Sequence, residues 1–256
     1  MKTALIGYTG FVGGNIYNQL EFNDVYNSKN IDEIEGKKYD LVISAGISAV
    51  KWLANQKPQE DWQNIEKLLN LLGNVKVKYL VLISTIDVYP TPLNVNERTK
   101  IDCQKAEPYG RNRFLAEEFV RENFSFYSIV RLPGLFGIGI KKNFIFDIIH
   151  NQYNNFVHPE SIFQFYNLKN IGSDLKIVIK NKIPLINFAT EPISVQEIGK
   201  YVLGKMIEGN KNMKKLSYDM KTLYTSLFNK TGDYLYRKDE ILNEIKNFVE
   251  IEKSKL

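Results

Sequence analysis

A chain of 256 residues can form one large domain with a full core, or a dominant domain with a smaller lobe. Hydrophobic residues make up 44% and charged residues 25% of the sequence, as in ordinary soluble globular proteins. The net charge is +5, but basic and acidic residues are interleaved and no apolar run could span a membrane, so neither nucleic acid nor a membrane is expected as a partner.

The chain begins with an apolar run that leads into a glycine-rich turn. Residues 2–13 read KTALIGYTGFVG, and a helical pattern of apolar residues follows. In such a turn Gly7 permits a tight bend, Gly10 allows close approach of a ligand, and Gly13 lets the helix pack against its strand. Because backbone N–H groups converge there, the segment predicts a site for the pyrophosphate of a dinucleotide.

Buried strands and helices then alternate. Apolar runs predict strands at residues 40–46, 79–84 and 127–132, and helical periodicity predicts helices at 60–72 and 109–122. Continuous apolar strands separated by helices are typical of a parallel sheet covered on both faces. The predicted fold class is therefore α/β, a doubly wound parallel sheet of the Rossmann type.

The pattern changes after residue 139, where aromatic and asparagine-rich stretches appear. Helices are predicted at 142–151, 171–180, 195–207 and 238–250, and Ser194 and Glu197 have the spacing of a capping box before the third. We expect a dinucleotide-binding domain over residues 1–139. A smaller, mostly helical substrate lobe over 140–256 would pack on it as one unit.

Polar side chains collect where the strand at 79–84 ends. Thr85 and Asp87 follow this strand, and Tyr109 and Arg113 lie four residues apart on one face of the next predicted helix. A guanidinium beside a phenol stabilises the phenolate, so the pKa of Tyr109 is expected to fall. Thr85 could then hold a substrate oxygen against Tyr109.

These residues and the surrounding motifs resemble the extended short-chain dehydrogenase/reductase family of NAD(P)-dependent nucleotide-sugar epimerases, dehydratases and reductases. GYTGFVG at 7–13 is similar to the family's GxxGxxG loop, SAG at 44–46 to its Ala-Gly element, and RLPGLFG at 131–137 to its R-P-x-x-x-Y-G segment. The resemblance implies that Thr85, Tyr109 and Arg113 are the catalytic residues. It implies cofactor contacts from the turns that follow the strands and from the helices beside them: Gly7, Thr9, Gly10, Phe11, Val12, Gly13, Ser28, Lys29, Ala45, Gly46, Asn64, Ser84, Tyr109, Arg113, Pro133 and Leu135.

The sequence departs from the family at one catalytic position. The family's Tyr-x-x-x-Lys is here Tyr109-x-x-x-Arg113, and arginine is bulkier and planar. Ile86 also replaces the acid of the family's dehydratases, which argues against an ordinary dehydratase, and the lobe after residue 139 is short for an epimerase.

The expected ligands follow from the same positions. No carboxylate follows the second strand before Asp32, whereas Ser28 and Lys29 suit a 2′-phosphate, so NADP is favoured over NAD. A nucleotide-linked sugar is the expected substrate, with contacts expected from polar and basic residues at both ends of the predicted site: Asp87, Lys141, Lys142, Asn143, Gln164 and Tyr166.

Two functions remain open. The first is an enzyme, a keto-sugar reductase or an epimerase using the same residues, and the second is a non-catalytic NAD(P)-binding protein. No metal site is expected, because the histidines lack metal-ligand spacing. The single cysteine and the absence of a leader segment favour the cytoplasm, and the resemblance implies a homodimer.

Overall fold

The computed structural model describes residues 1–256, in which strands and helices alternate. The strands are β1 (Thr3–Ile6), β2 (Asp24–Tyr26), β3 (Lys38–Ser44), β4 (Lys76–Thr85), β5 (Leu93–Val95), β6 (Tyr127–Leu132), β7 (Gly134–Phe136), β8 (Ile162–Phe163), β9 (Phe165–Asn167), β10 (Leu185–Asn187), β11 (Ile193–Ser194) and β12 (Asp219–Met220). The helices are α1 (Phe11–Tyr17), α2 (Lys51–Gln56), α3 (Pro58–Gly73), α4 (Pro108–Asn123), α5 (Phe144–Ile149), α6 (Tyr153–Phe156), α7 (Ile171–Asn181), α8 (Val195–Ile198) and α9 (Lys238–Lys253).

Six strands form one parallel sheet in the order β10-β6-β4-β3-β1-β2. The chain steps from β1 to β2 on one side and then returns to β3 on the other, so the order reverses between β1 and β3. Right-handed crossovers in opposite directions place the connecting helices on opposite faces of the sheet. The structure confirms the predicted doubly wound α/β class.

The central strands contain continuous apolar stretches because both faces of the sheet are covered there. Val42 and Ile43 of β3, Leu80 and Val81 of β4, and Ile129 of β6 are all fully buried. Strands of this kind read as continuous apolar runs rather than as alternating ones, which is why the sequence identified them.

Helix α2 was not predicted, and the helix expected at 195–207 has a different form. The capping box of Ser194 and Glu197 is confirmed, and it begins α8. The helix then widens into a π-helical segment, Gly199–Leu203, and ends at Gly204, which has a positive φ of 68°. The left-handed Gly204 stops the helix, so its last residue, Leu203, lies four positions before the expected end.

The chain forms two compact units, each built from separate stretches. The first, called here the sheet unit, contains Met1–Thr91, Glu97–Leu132 and Lys169–Asn187. The second, the C-terminal unit, contains Pro92–Asn96, Pro133–Leu168 and Phe188–Leu256. The expected single boundary between residues 139 and 140 is therefore corrected, because α7 and β10 return to the sheet: β10 pairs with β6.

The C-terminal unit has its own apolar core, to which helices α5, α8 and α9 contribute. Ile145 and Ile148 of α5 and Ile241 and Ile245 of α9 are fully buried in it. None of the helices in the protein combines the length and the apolar character needed to cross a bilayer.

Candidate active site

The glycine turn lies where the strand order reverses. Gly7 has a φ of +86°, and a Cβ atom there would lie 2.4 Å from the backbone oxygen of Ala45, at the end of β3. A Cβ on Gly13 would lie 2.0 Å from the backbone oxygen of Gly7, so only glycine lets α1 approach the turn this closely. Gly10 is exposed, and no side chain caps the helix that follows it. The turn therefore presents bare backbone at the place where open α/β sheets bind ligands.

The other predicted cofactor residues of the sheet unit lie in different surroundings. Thr9 is exposed in the turn, while Phe11 and Val12 begin α1 and are half-buried. Gly46 follows Ala45 directly, and a Cβ there would lie 2.8 Å from the Ile6 side chain. Asn64 is exposed on α3.

The turn after β2 carries the groups expected to recognise the ribose. The strand ends at Tyr26, so Asn27 is the first residue beyond it, and Ser28 and Lys29 are exposed. The side-chain oxygen of Asn27 accepts a hydrogen bond of 2.9 Å from the Lys29 backbone N–H. No carboxylate lies within this short turn, and Asn27 is a residue that the sequence analysis did not single out.

The structure brings Thr85, Asp87 and Tyr109 together. Thr85 ends β4, and its hydroxyl accepts a hydrogen bond of 3.2 Å from the Asp87 backbone N–H. Helix α4 packs so closely on this turn that a Cβ on Gly110 would lie 1.9 Å from the backbone oxygen of Asp87. The Thr85 hydroxyl also donates to the Asp87 carboxylate at 3.5 Å. Tyr109, the residue before Gly110, is buried, and the neighbouring Thr85 hydroxyl acts to lower the pKa of its phenol.

The expected fall in the pKa of Tyr109 is wrong for this structure. Burial raises the pKa above its ordinary value and outweighs the opposing effects of Arg113, Lys51 and the Thr85 hydrogen bond. The phenol is therefore protonated at neutral pH.

The charge of Arg113 is engaged by a buried carboxylate. Its guanidinium lies 3.9 Å from the centre of the Tyr109 ring and makes two bonds to Asp61 of α3, of 2.5 and 2.9 Å. It also donates to the backbone oxygens of Ser48 and Tyr109. Nε of Arg113 is buried without a partner. Asp61 is a site residue that the sequence analysis missed, because 52 positions separate it from Arg113.

Helix α2 supplies two more contacts that were not foreseen. Nζ of Lys51 lies 2.6 Å from Oδ1 of Asp87 and 6.0 Å from the centre of the Tyr109 ring. One turn later, the side-chain oxygen of Asn55 accepts a hydrogen bond of 2.9 Å from the Tyr109 backbone N–H, at the start of α4. The only feature of the sequence that could have indicated these contacts is the spacing of Lys51 and Asn55, four residues apart after β3.

The hydroxyl of Ser84 points to a buried ion pair. It donates a hydrogen bond of 2.6 Å to Glu117, whose carboxylate also binds Arg131 at 2.5 and 2.9 Å. Burial alone would lower the pKa of Arg131, but the adjacent carboxylate raises it above its ordinary value. Arg131 further donates to the phenol of Tyr89 at 2.7 Å. The Ser84 side chain thus has a structural partner.

The remaining predicted residues belong to the C-terminal unit. Pro133 is buried, Leu135 is half-buried, and Lys141 and Lys142 are exposed. Asn143 has a φ of +120°, accepts hydrogen bonds from the N–H groups of residues 145 and 146, and donates one of 2.7 Å to the Leu135 backbone oxygen. Its amide therefore caps α5, and contacts of these five residues with cofactor or substrate stay predictions.

Gln164 and Tyr166 have structural surroundings instead of the expected sugar pocket. The Gln164 amide is buried and bonds to the backbone of Thr190 and to both the N–H and the oxygen of Met220. Tyr166 has no exposed surface and packs against the rings of Phe188 and Tyr236. Both side chains are therefore part of the protein interior.

Comparison with known proteins agrees with this geometry. A model of the NAD dependent epimerase/dehydratase family matches residues 4–170. No curated protein matches the chain.

Solved structures share the fold at low identity. A UDP-N-acetylglucosamine 4-epimerase from Methanobrevibacter ruminantium M1 is 15% identical with a TM-score of 0.75, over 100% of this chain and 99% of that one. A dTDP-4-dehydrorhamnose reductase from Clostridium acetobutylicum is 16% identical with a TM-score of 0.73, over 98% and 99%. RMD from Pseudomonas aeruginosa, solved with NADPH, is 15% identical with a TM-score of 0.73, over the full length of both chains.

Proposed function

Because the chain belongs to the NAD dependent epimerase/dehydratase family, we propose that it is an NAD(P)-dependent oxidoreductase that reduces a keto group on a nucleotide-linked sugar. One observation carries this proposal. The phenol of Tyr109, at the start of α4, and the hydroxyl of Thr85, at the end of β4, are neighbours at the carboxyl edge of the sheet. Besides a hydride for the carbon, reduction of a carbonyl requires a proton donor at its oxygen, and a second hydrogen-bonding group there can hold that oxygen in place.

The residues at this edge fit a dinucleotide. The turn from Gly7 to Gly13 leaves backbone bare, and two buried polar atoms, Nε of Arg113 and Oγ of Ser44, have no partner within the protein. Buried polar groups without partners are rare, and a bound ligand would satisfy them. A bound nicotinamide supplies the hydride in reduction or accepts it in oxidation.

The protonation state of Tyr109 supports reduction. Since burial raises its pKa, Tyr109 holds its proton at neutral pH and can donate it from Oη to the carbonyl oxygen of the substrate. Thr85 hydrogen-bonds the same oxygen and holds it against the phenol. Epimerisation through a transient keto sugar would use the same two side chains, but Tyr109 would have to act first as a base.

We favour NADP as the cofactor, because Ser28 and Lys29 are exposed after β2 and no carboxylate lies in that turn. A carboxylate would bind the ribose 2′-OH of NAD and repel a 2′-phosphate. Titration of the protein with NADPH and NADH should give tighter binding of NADPH. The variant Lys29→Glu should weaken NADPH binding selectively, and equal or tighter NADH binding by the unaltered protein would contradict the choice.

The function is tested with a panel of nucleotide-linked sugars and 4-keto sugars. We expect consumption of NADPH with at least one keto sugar and a loss of about 100-fold or more in kcat for Tyr109→Phe. Epimerisation would instead convert one sugar into another without net consumption of cofactor. Full turnover by Tyr109→Phe on an identified substrate would overturn the mechanism.

A specific observation supports a second candidate, a non-catalytic NAD(P)-binding protein. The charge of Arg113, the residue in the place of the family's lysine, is neutralised by Asp61. This candidate predicts dinucleotide binding without turnover of any sugar in the panel, and a cellular function that survives Tyr109→Phe.

A further inference from the structure

Three charged groups, on two helices and one turn, act on the phenol of Tyr109, and a fourth, on another helix, pairs with one of them. Arg113 lies on its own helix, and Asp61 faces it from α3. Asp87 lies in the turn after β4, and Lys51 approaches from α2. These groups form two ion pairs, Arg113–Asp61 and Lys51–Asp87, so each pair carries no net charge.

The two pairs differ in their surroundings. The side chains of Arg113 and Asp61 are 4% and 9% exposed, and the arginine is fixed by four hydrogen bonds. The side chains of Lys51 and Asp87 are 43% and 22% exposed, and a single ion contact of 2.6 Å joins them. Only the Lys51–Asp87 pair can rearrange at low cost when the charge on Tyr109 changes, because its partners remain in contact with water.

The negative charge of Asp87 lies near the phenol of Tyr109, so a cation is needed there if a phenolate is to form. Asp87 shares a turn with Thr85, whose hydroxyl binds its N–H, and its carboxylate disfavours a negative charge on Tyr109. When Tyr109 gives its proton to a carbonyl oxygen, its O–H bond breaks and a phenolate remains, while the hydride comes from the reduced nicotinamide. Lys51 is the cation that faces both the carboxylate and the phenol.

Helix α2 is attached to Tyr109 at a second point, which fixes the position of Lys51. Asn55 accepts the hydrogen bond from the Tyr109 backbone N–H, one turn after Lys51 on the same helix. A movement of α2 would break this bond as well as the ion pair. The helix therefore keeps the backbone of Lys51 where its ammonium group can reach both Asp87 and the phenol.

We propose that Lys51 is a positioning residue for proton transfer by Tyr109, that it neutralises Asp87, and that it stabilises the phenolate that forms. This inference rests on the proposed function for its meaning in catalysis. Its electrostatic content concerns the protein alone and can be measured without a substrate.

The test is a titration of Tyr109 by 19F NMR in protein labelled with 3-fluorotyrosine, which ionises at lower pH than tyrosine. The resonance that is missing from Tyr109→Phe identifies the group. Lys51→Met should shift its titration to higher pH, and Asp87→Asn should shift it to lower pH. The double variant should return toward the unaltered protein, since both members of the pair are then gone.

The matched control is Lys57→Met. Lys57 lies six positions further along the chain, is exposed, and pairs with Glu60 on the surface, so its loss should leave the titration unchanged. Lys51→Arg keeps the charge and should retain the titration of the unaltered protein. The proposal would be overturned if Tyr109 titrated at the same pH in Lys51→Met as in the control. It would also be overturned if Lys51→Arg shifted the Tyr109 titration as far as Lys51→Met does. If Lys51→Met does not fold, the Asp87→Asn variant alone decides. If the Tyr109 titration in that variant does not move to lower pH, the proposal is overturned.

Kinetics gives the second measurement. With an identified keto sugar, Lys51→Met should lower kcat/KM about tenfold and move the alkaline limb of the pH profile, while leaving NADPH affinity unchanged. If neither the unaltered protein nor any variant turns over a keto sugar, but the expected 19F shifts are seen, the proposed function is refuted and the electrostatic pairing stands. Turnover that depends on Tyr109 but not on Lys51 would refute the inference and leave the function intact.

Discussion

The ion pair between Arg113 and Asp61 gives the sharpest test of the energetics of the site. The variant Asp61→Asn keeps the size of the side chain and one acceptor oxygen but removes the charge. Arg113 would then remain buried without a counter-charge, which costs about 3–5 kcal/mol in comparable sites. Because the asparagine oxygen still accepts one hydrogen bond, and the Ser48 and Tyr109 oxygens still accept theirs, we expect about 3 kcal/mol less free energy of unfolding.

Tryptophan fluorescence during urea unfolding measures the stability of the sheet unit, which contains Arg113 and Asp61. The chain has two tryptophans, Trp52 and Trp62; both lie in the sheet unit, and Trp62 directly follows Asp61 in sequence. The control is Glu60→Gln, at the position before Asp61. The ion pair of Glu60 with Lys57 is exposed and should contribute less than about 1 kcal/mol to the free energy of unfolding. A loss for Asp61→Asn no larger than that of Glu60→Gln would refute the claim that Asp61 neutralises a buried charge.

Three further variants test other parts of the structure. Gly13→Ala should lower stability by about 2 kcal/mol and abolish tight dinucleotide binding in a fluorescence titration, since the new Cβ would meet the Gly7 backbone oxygen at 2.0 Å; unchanged binding would contradict the assigned role of the turn. Gly110→Ala should reduce turnover more than cofactor affinity, because its Cβ would push α4 away from Asp87, and equal losses of both would count against this. Asp147→Asn should stabilise the C-terminal unit at about pH 8 more than at about pH 4, measured by circular dichroism. Burial raises the pKa of Asp147, so the folded state binds its proton more tightly and loses stability as pH rises through that pKa; a gain independent of pH would contradict this.

The sequence predicted the fold because its signals are local. The apolar run of β4, the glycines at 7 and 13 and the capping box at Ser194 each act within a few residues of themselves. The meeting of Thr85 with Tyr109 was also foreseeable, because the first ends a strand and the second begins the next long helix.

What could not be predicted depends on contacts between distant residues. The helical period shows that Arg113 lies on the same face as Tyr109, but nothing local shows that Asp61 lies opposite it. The same holds for Gln164, whose polar character indicated a pocket although three backbone groups from two other segments bind its amide. Helix α2 was missed because six residues with only one buried side chain, Ala54, give too short a pattern.

The carboxylate of Glu117 joins three elements at once. It accepts bonds from Ser84 on β4, from Arg131 on β6 and from Arg121 one turn along α4. The strand that delivers Thr85 and the helix that delivers Tyr109 are thereby fastened to the same group. A substitution at any one of these positions would loosen the placement of both Thr85 and Tyr109, so substitutions at 84, 117 and 131 should be tolerated only when the three residues change together.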